Sequence, residues 1–265
     1  MKEIVYHEID WEEERKEVLR QDEIIKYKPR KKDLSWELEC ELILTAMALE
    51  CGLPKVVNNR IDIAKKYLKR RNLNGKFNGL NSDEKIEEIV AYYKTVYHFS
   101  WFGGRADKEA ENVLKECFEM EYIDKVKLRN FNKKGAQRSN VTLSVRMGLF
   151  ELAKEKIQKY KKLKSVTTID DEIIYDFYKF YLIFVDYSLG IGTISKERLN
   201  ELFLKIFSEH QKGNRTIFFE YGGLIGIYEV YYLYYRYFLG LPEEEVTPEH
   251  VFESGEKGIL HWREK

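Results

Sequence analysis

Three observations predict an all-α fold. Proline is scarce, 4 in 265 residues, so few helices are forced to break. Helix start and stop residues recur along the chain, with apolar residues between them at three- and four-residue spacing. No long alternating apolar–polar run competes, and only Ile4–Ile9 has the form of a short strand. The predicted architecture is a compact multi-helix bundle or helical-hairpin array of about ten helices joined by short loops. It forms a single helical domain over residues 1–265. The Lys-rich stretch Lys161–Ser165 is the best seam for a subdivision, into an N-terminal helical half (residues 1–165) and an aromatic-rich C-terminal half (residues 166–265).

Ser35 is placed to cap a helix whose apolar face is Trp36, Cys40, Ile43 and Met47, and Gly52 with Pro54 stops it. Val56–Arg71 forms a basic helix ended by the Asn/Gly-rich run Asn72–Ser82. Asp83–Phe99 and Ala106–Met120 follow, separated by Gly103-Gly104. Two antiparallel helices over about 136–147 and 149–164 come next. Thr168, Ser195 and Thr247 are N-cap candidates, and Pro248 sits at the favoured first helical position.

The hairpin at Met147–Ile157 resembles the turn and second helix of a tetratricopeptide repeat. Gly148 closes the turn, Phe150 follows, and small Ala153 lets the helices approach, with Ile157 continuing the stripe. No second copy appears at the required period, so a repeat array is not predicted. Lys154, Lys156, Lys159, Lys161 and Lys162 fall mostly off that stripe and read as a solvated face.

Charge excludes some functions. The chain has 45 Lys+Arg against 45 Asp+Glu and is 44% hydrophobic. Disorder requires fewer apolar residues and a larger net charge. Nucleic-acid coating requires a basic excess. The zero net charge nevertheless hides blocks: residues 1–50 are net −5, 55–80 net +7, 83–124 net −6, 125–165 net +11 and 166–265 net −7. Such blocks either pair within the fold or present separate charged faces to a partner.

Cys40, Cys51 and Cys117 form neither a disulfide framework nor a zinc spacing, and the N-terminus lacks a signal-peptide core, so a cytoplasmic location is expected. Ile173–Ile194 and Ile217–Leu241 approach membrane-span length, but the first carries Asp176, Lys179 and Asp186 and the second Glu220, Glu229 and Arg236. Each such charge costs about 2.5–3.5 kcal/mol at a bilayer centre, so both read as core helices.

Catalytic signatures are missing. The phosphate loop G-x-x-x-x-G-K-[S/T], H-E-x-x-H and G-x-S-x-G do not occur. Gly190-Ile191-Gly192 reads as a turn before the Ser195 cap. None of His7, His98, His210, His250 and His261 has another His at helical spacing, so no metal site is predicted. Ala48–Gly52 has the spacing of a helix-turn-helix turn, but Pro54 and Asn58-Asn59 fit poorly in its second helix. Glu220 and Glu229 lie within apolar runs, where a carboxylate must be paired, hydrogen-bonded or neutral. Arg236 or a tyrosine hydroxyl is the expected core partner.

The most distinctive stretch is Thr216–Leu241, with Gly222, Gly223 and Gly226 followed by six Tyr between 228 and 237. Some of these rings must fill the core and some must reach the surface. Over this region the chain runs His210-Gln211-Lys212-Gly213-Asn214, then Phe219-Glu220-Tyr221-Gly222, Tyr228-Glu229 and Leu239-Gly240-Leu241. This order resembles the C-terminal region of helical immunity proteins of bacterial polymorphic nuclease toxin systems (PoNe-immunity-like). The acidic pair that follows in that family is replaced here by Glu243-Glu244-Glu245.

The resemblance implies an inhibitor that binds a cognate toxin protein, with no catalysis, no cofactor, no metal, no nucleic acid and no membrane. Its binding candidates are Asp107, Glu109, Glu111, Glu116 and Glu119, the aromatic Tyr231, Tyr234 and Tyr235, and Glu243, Glu244 and Glu245. The acidic stretches Asp107–Asp124 and Glu243–Glu253 would meet a toxin's basic groove. Buried polar candidates are Glu220, Glu229 and Arg236. Two other readings compete. One is a tetratricopeptide-like adaptor or regulatory scaffold. The other is an enzyme whose site gathers Glu220, Glu229, His210 and Arg236.

Overall fold

The computed structural model describes residues 11–27, 107–121, 133–211 and 229–246, with single positions at 44, 48, 53, 55, 56, 58–60, 62, 90, 93, 94, 96, 97 and 123. Helix accounts for 77% of the described residues and no strand occurs among them, so the fold is all-α there. The full complement of about ten helices, the Ile4–Ile9 segment, Glu220 and the Thr247-Pro248 start lie outside the described residues.

Helix α1 (Trp11–Tyr27) is mostly exposed and turns Val18 and Asp22 inward. Asp22 accepts from Arg60 Nε at 2.6 Å, a buried pair that ties α1 to helical positions 55–62. Leu53 N donates to Ala48 O at 2.8 Å, closing a helix where the sequence places its stop. Helix α2 (Lys108–Glu119) begins at Asp107, whose carboxylate accepts from Ala110 N at 2.9 Å. Its buried face is Ala110, Leu114, Cys117 and Phe118.

Helices α3 (Lys133–Arg146) and α4 (Phe150–Lys161) form the predicted hairpin. Gly148 turns the chain at φ +72°, and a Cβ there would meet the Tyr237 hydroxyl at 3.3 Å. Both facts call for glycine. Ala153 and Ile157 are fully buried in α4. The solvated lysine face holds only in part. Lys156 is 1% exposed, and Lys154 pairs with buried Asp186 at 3.1 Å. The reason is geometric: α4 packs against both α3 and the next long helix, so it buries a wide arc. Lys156, three residues after Ala153, lies inside that arc.

The segment 162–172 is a loop. Thr168 caps nothing in it. Asp170 takes that role, accepting from Glu172 N and Ile173 N at 3.1 Å each to start the 3-10 turn Ile173–Tyr175. Asp176 then caps α5 (Phe177–Ser188) through Tyr178 N and Lys179 N. Carboxylates displace the Thr because they accept two N–H groups at once. Every residue from Phe180 to Asp186 is buried, as expected of a helix that is apolar all round and central. At 12 residues α5 is short for a bilayer, and no described helix is long and apolar enough to cross one.

The Gly190–Gly192 stretch is a turn, as expected. Ile191 N and Gly192 N both donate to Asp186 O at 3.0 Å. A Cβ on Gly192 would press to 3.2 Å against that backbone. Ser195 Oγ accepts from Arg198 N at 3.3 Å and starts α6 (Lys196–Gln211). Leu199, Leu202, Phe203, Ile206 and Phe207 form its buried stripe. The helix that carries Glu229 passes into a π-helical turn at Tyr234–Phe238, where Leu239 N bonds back to Tyr234 O at 2.8 Å. A 3-10 turn at Glu243–Glu245 follows.

The buried apolar residues form two clusters. The larger joins α3, α4, α5, α6 and 229–246, and also takes in Val18, Leu44, Ala48 and Val56. The smaller joins Val90, Tyr93 and Tyr97 to α2, Ile123, Leu143 and Met147.

Candidate functional site

The acidic candidates divide by what their carboxylates already do. Asp107 is spent on capping α2. Glu109 accepts from the Tyr93 hydroxyl at 3.5 Å. Glu111 is buried rather than free: Lys115 reaches one oxygen at 2.6 Å and Lys108 the other at 2.9 Å. Burial would raise this carboxyl, but the two lysine hydrogen bonds outweigh it and hold the pKa below the ordinary value. Glu116, Glu119, Glu244 and Glu245 lie toward solvent, Glu116 only partly.

Lys108 does more than neutralise its own helix. Its ammonium also reaches Glu243 at 3.1 Å, across 135 residues of sequence. The hydrogen bond to Glu111 is the largest influence raising its pKa; burial opposes it, and Glu243 adds to the rise. The two acidic stretches singled out in the sequence therefore meet at one lysine, with Glu244 and Glu245 beside the junction.

The aromatic candidates are not surface groups. Tyr231 is buried and stacks on Phe207, with ring centroids 4.3 Å apart and planes within 6°. Tyr235 is also buried, with Tyr234 against it at 5.5 Å. Tyr234 is half-buried among Phe203, Phe207 and Phe238, and its hydroxyl donates to Asn200 Oδ1 at 3.4 Å. These tyrosines replace apolar core side chains, because the ring supplies the buried area and the hydroxyl finds a partner at the edge.

Glu229 is 3% exposed and pairs with Arg146, itself 3% exposed. It also accepts from the Tyr181 hydroxyl at 3.1 Å. Burial raises its pKa, while Arg146, Tyr181 and Thr142 pull the other way. Arg236 is therefore not its partner. Arg236 is half-buried, donates to Leu241 O at 3.0 Å and lies over the Tyr237 ring, helping to close the π-helical turn. Glu229 and Arg236 are engaged in different places, so they do not form the gathering expected with Glu220 and His210. His210 lies in the last turn of α6, with its side chain outside the described residues, as is all of Glu220.

Arg146 is a central residue that the sequence pattern does not single out. Its guanidinium lies over the Tyr97 ring at 5.7 Å, so it touches the smaller cluster while pairing into the larger. Tyr97 is pushed well above its ordinary pKa by burial, and Glu111 adds to the effect against Arg146. A signal for it does exist: Arg146 is a lone cation ending the apolar and small-residue run Val141–Val145. Among the described residues no group of three His, Cys, Asp or Glu is placed to hold a metal ion. Cys117 is buried, which pushes its thiol to about 12, so it is a packing residue and a poor nucleophile.

Comparison with protein-family models, with curated proteins and with solved structures returned no match. Chemically, the arrangement offers committed charge in the core and an acidic outer face around Lys108.

Proposed function

We propose that this chain is an immunity-type inhibitor, acting in the cytoplasm, that binds a bacterial toxin domain and covers its active site. The observation that carries the reading is the Lys108 bridge, which gathers the acidic residues of α2 and Glu243–Glu245 on one face. A toxin that acts on nucleic acid needs a basic groove for the phosphates. An acidic face is the complement of such a groove and would speed association and select the partner. Glu116, Glu119, Glu244 and Glu245 are the contact residues in this reading. Tyr231 and Tyr235 belong to the scaffold beneath it.

The test is co-purification with the toxin domain encoded beside this chain. A tight one-to-one complex is expected, with association slowed by salt and by Glu→Lys changes at Glu116, Glu119, Glu244 and Glu245. Failure to bind any neighbouring toxin domain would reject the proposal. The α3–α4 hairpin supports a second reading, a tetratricopeptide-like adaptor, because Ala153 sits fully buried where such hairpins approach. A peptide partner insensitive to those four carboxylates would favour it.

A further inference from the structure

The segment 229–246 is tied to the α2 side of the molecule at two points. At the surface Glu243 meets Lys108, which is anchored by Glu111. In the core Glu229 meets Arg146, whose guanidinium lies on Tyr97, a ring that packs with α2 in the smaller cluster. A third bond strengthens the deep tie: the Tyr237 hydroxyl donates to Arg146 O at 2.9 Å. These ties close a ring. It runs from Glu243 through Lys108 and Glu111 to Tyr97, then through Arg146 to Glu229 and back along the π-helical turn.

We infer that Arg146 and Glu229 are positioning residues, which set where the acidic segment Glu243–Glu245 sits relative to α2. This rests on the proposed binding face, but its physics does not need a partner. Apolar side chains slide past one another at little cost, whereas a buried ion pair has one acceptable geometry. A surface bridge on a long lysine stem is too weak to fix a segment by itself. The deep pair therefore supplies register, and the Lys108 bridge follows from it.

Amide hydrogen exchange on the full chain tests this. The double variant Arg146→Met/Glu229→Leu removes both charges at similar volume, a change that buried pairs often tolerate in stability. It is expected to speed exchange in Leu239–Val246 and in α2 by ~10-fold, while α5 and α6 keep their protection. Lys108→Ala should speed Leu239–Val246 by less and leave the amides around Arg146 unchanged. A role in general stability would instead accelerate α5 and α6 by the same factor, which overturns the inference. So does a folded double variant with the parent rates throughout. If the double variant does not fold, Glu229→Gln, which keeps the side-chain shape and removes the charge, decides by the same two outcomes. The result stands whether or not a toxin is found. With a toxin in hand, Glu229→Gln should slow association although every exposed carboxylate is still present.

Discussion

The two hydrophobic clusters are built by different physics. In the larger, Phe203 alone touches Phe180, Phe184, Phe207, Tyr234 and Phe238, with centroids 5.1–6.1 Å apart. In the smaller, polar groups penetrate the interior. Lys94 is buried and donates to Asn140 Oδ1 at 3.1 Å, and Asn140 in turn donates to the Tyr160 hydroxyl. Glu111 holds two lysines at its rim. The ring-built cluster gains its energy from area and responds little to salt and pH. The polar cluster gains less and is sensitive to both. The acidic face stands on the second kind, which makes it adjustable without loosening the first.

Substitutions can break this contrast, and the largest effect is expected in the aromatic cluster. Phe203→Ala should cost about 3–5 kcal/mol, from lost area and the cavity left behind. Urea unfolding midpoints measure it, and a loss below about 1 kcal/mol would show that the rings do not carry the core. Arg146→Met alone leaves Glu229 buried without its cation and should cost about 3 kcal/mol. Adding Glu229→Leu should recover most of that in the same measurement. A double variant as unstable as the single would mean that the pair is worth more than its desolvation.

Gly148→Ala forces a left-handed backbone on alanine, about 1–2 kcal/mol, and brings its methyl onto the Tyr237 hydroxyl. An unchanged midpoint would deny that contact. The smallest effect is expected at the surface. Lys108→Ala should cost under about 1 kcal/mol, and less in high salt.

Acidity separates the clusters further. Glu111 has a lowered pKa, so its stabilising contribution is present above the unfolded carboxyl value and is lost as pH falls through the folded one. Glu229 has a raised pKa, so its contribution moves the other way and grows as pH falls. Unfolding of the parent and of Glu111→Gln at neutral and acid pH should show a smaller acid loss in the variant. Equal losses would rule out Glu111 as a source of the acid sensitivity.

The skeleton is legible in the sequence because caps and turns are local. Asp107, Ser195 and Gly148 are recognisable within four residues of what they do. Thr168 reads as a cap and Asp176 does the capping, because both precede α5 and only the backbone shows which one reaches its N–H groups. The site is less legible because its ties are long-range. Glu229 reads as a buried carboxylate, but its partner lies 83 residues away, at the end of a helix rich in small residues. The tyrosines mislead for a related reason. Their enrichment is visible, yet burial depends on which face meets α6, and the π-helical turn shifts that face.

Insertion and deletion act on that turn in a specific way. An α-helix advances about 100° per residue, and a π-helical turn accommodates one residue more than an α-turn over the same span. Removing a single residue between Tyr234 and Phe238 would restore α geometry and rotate everything after it by that angle relative to Glu229. Glu243 would then swing away from Lys108 while the upstream rings stayed in place. The chain thus carries a one-residue allowance on which the alignment of its acidic face depends, and length, as much as residue identity, is constrained at that point.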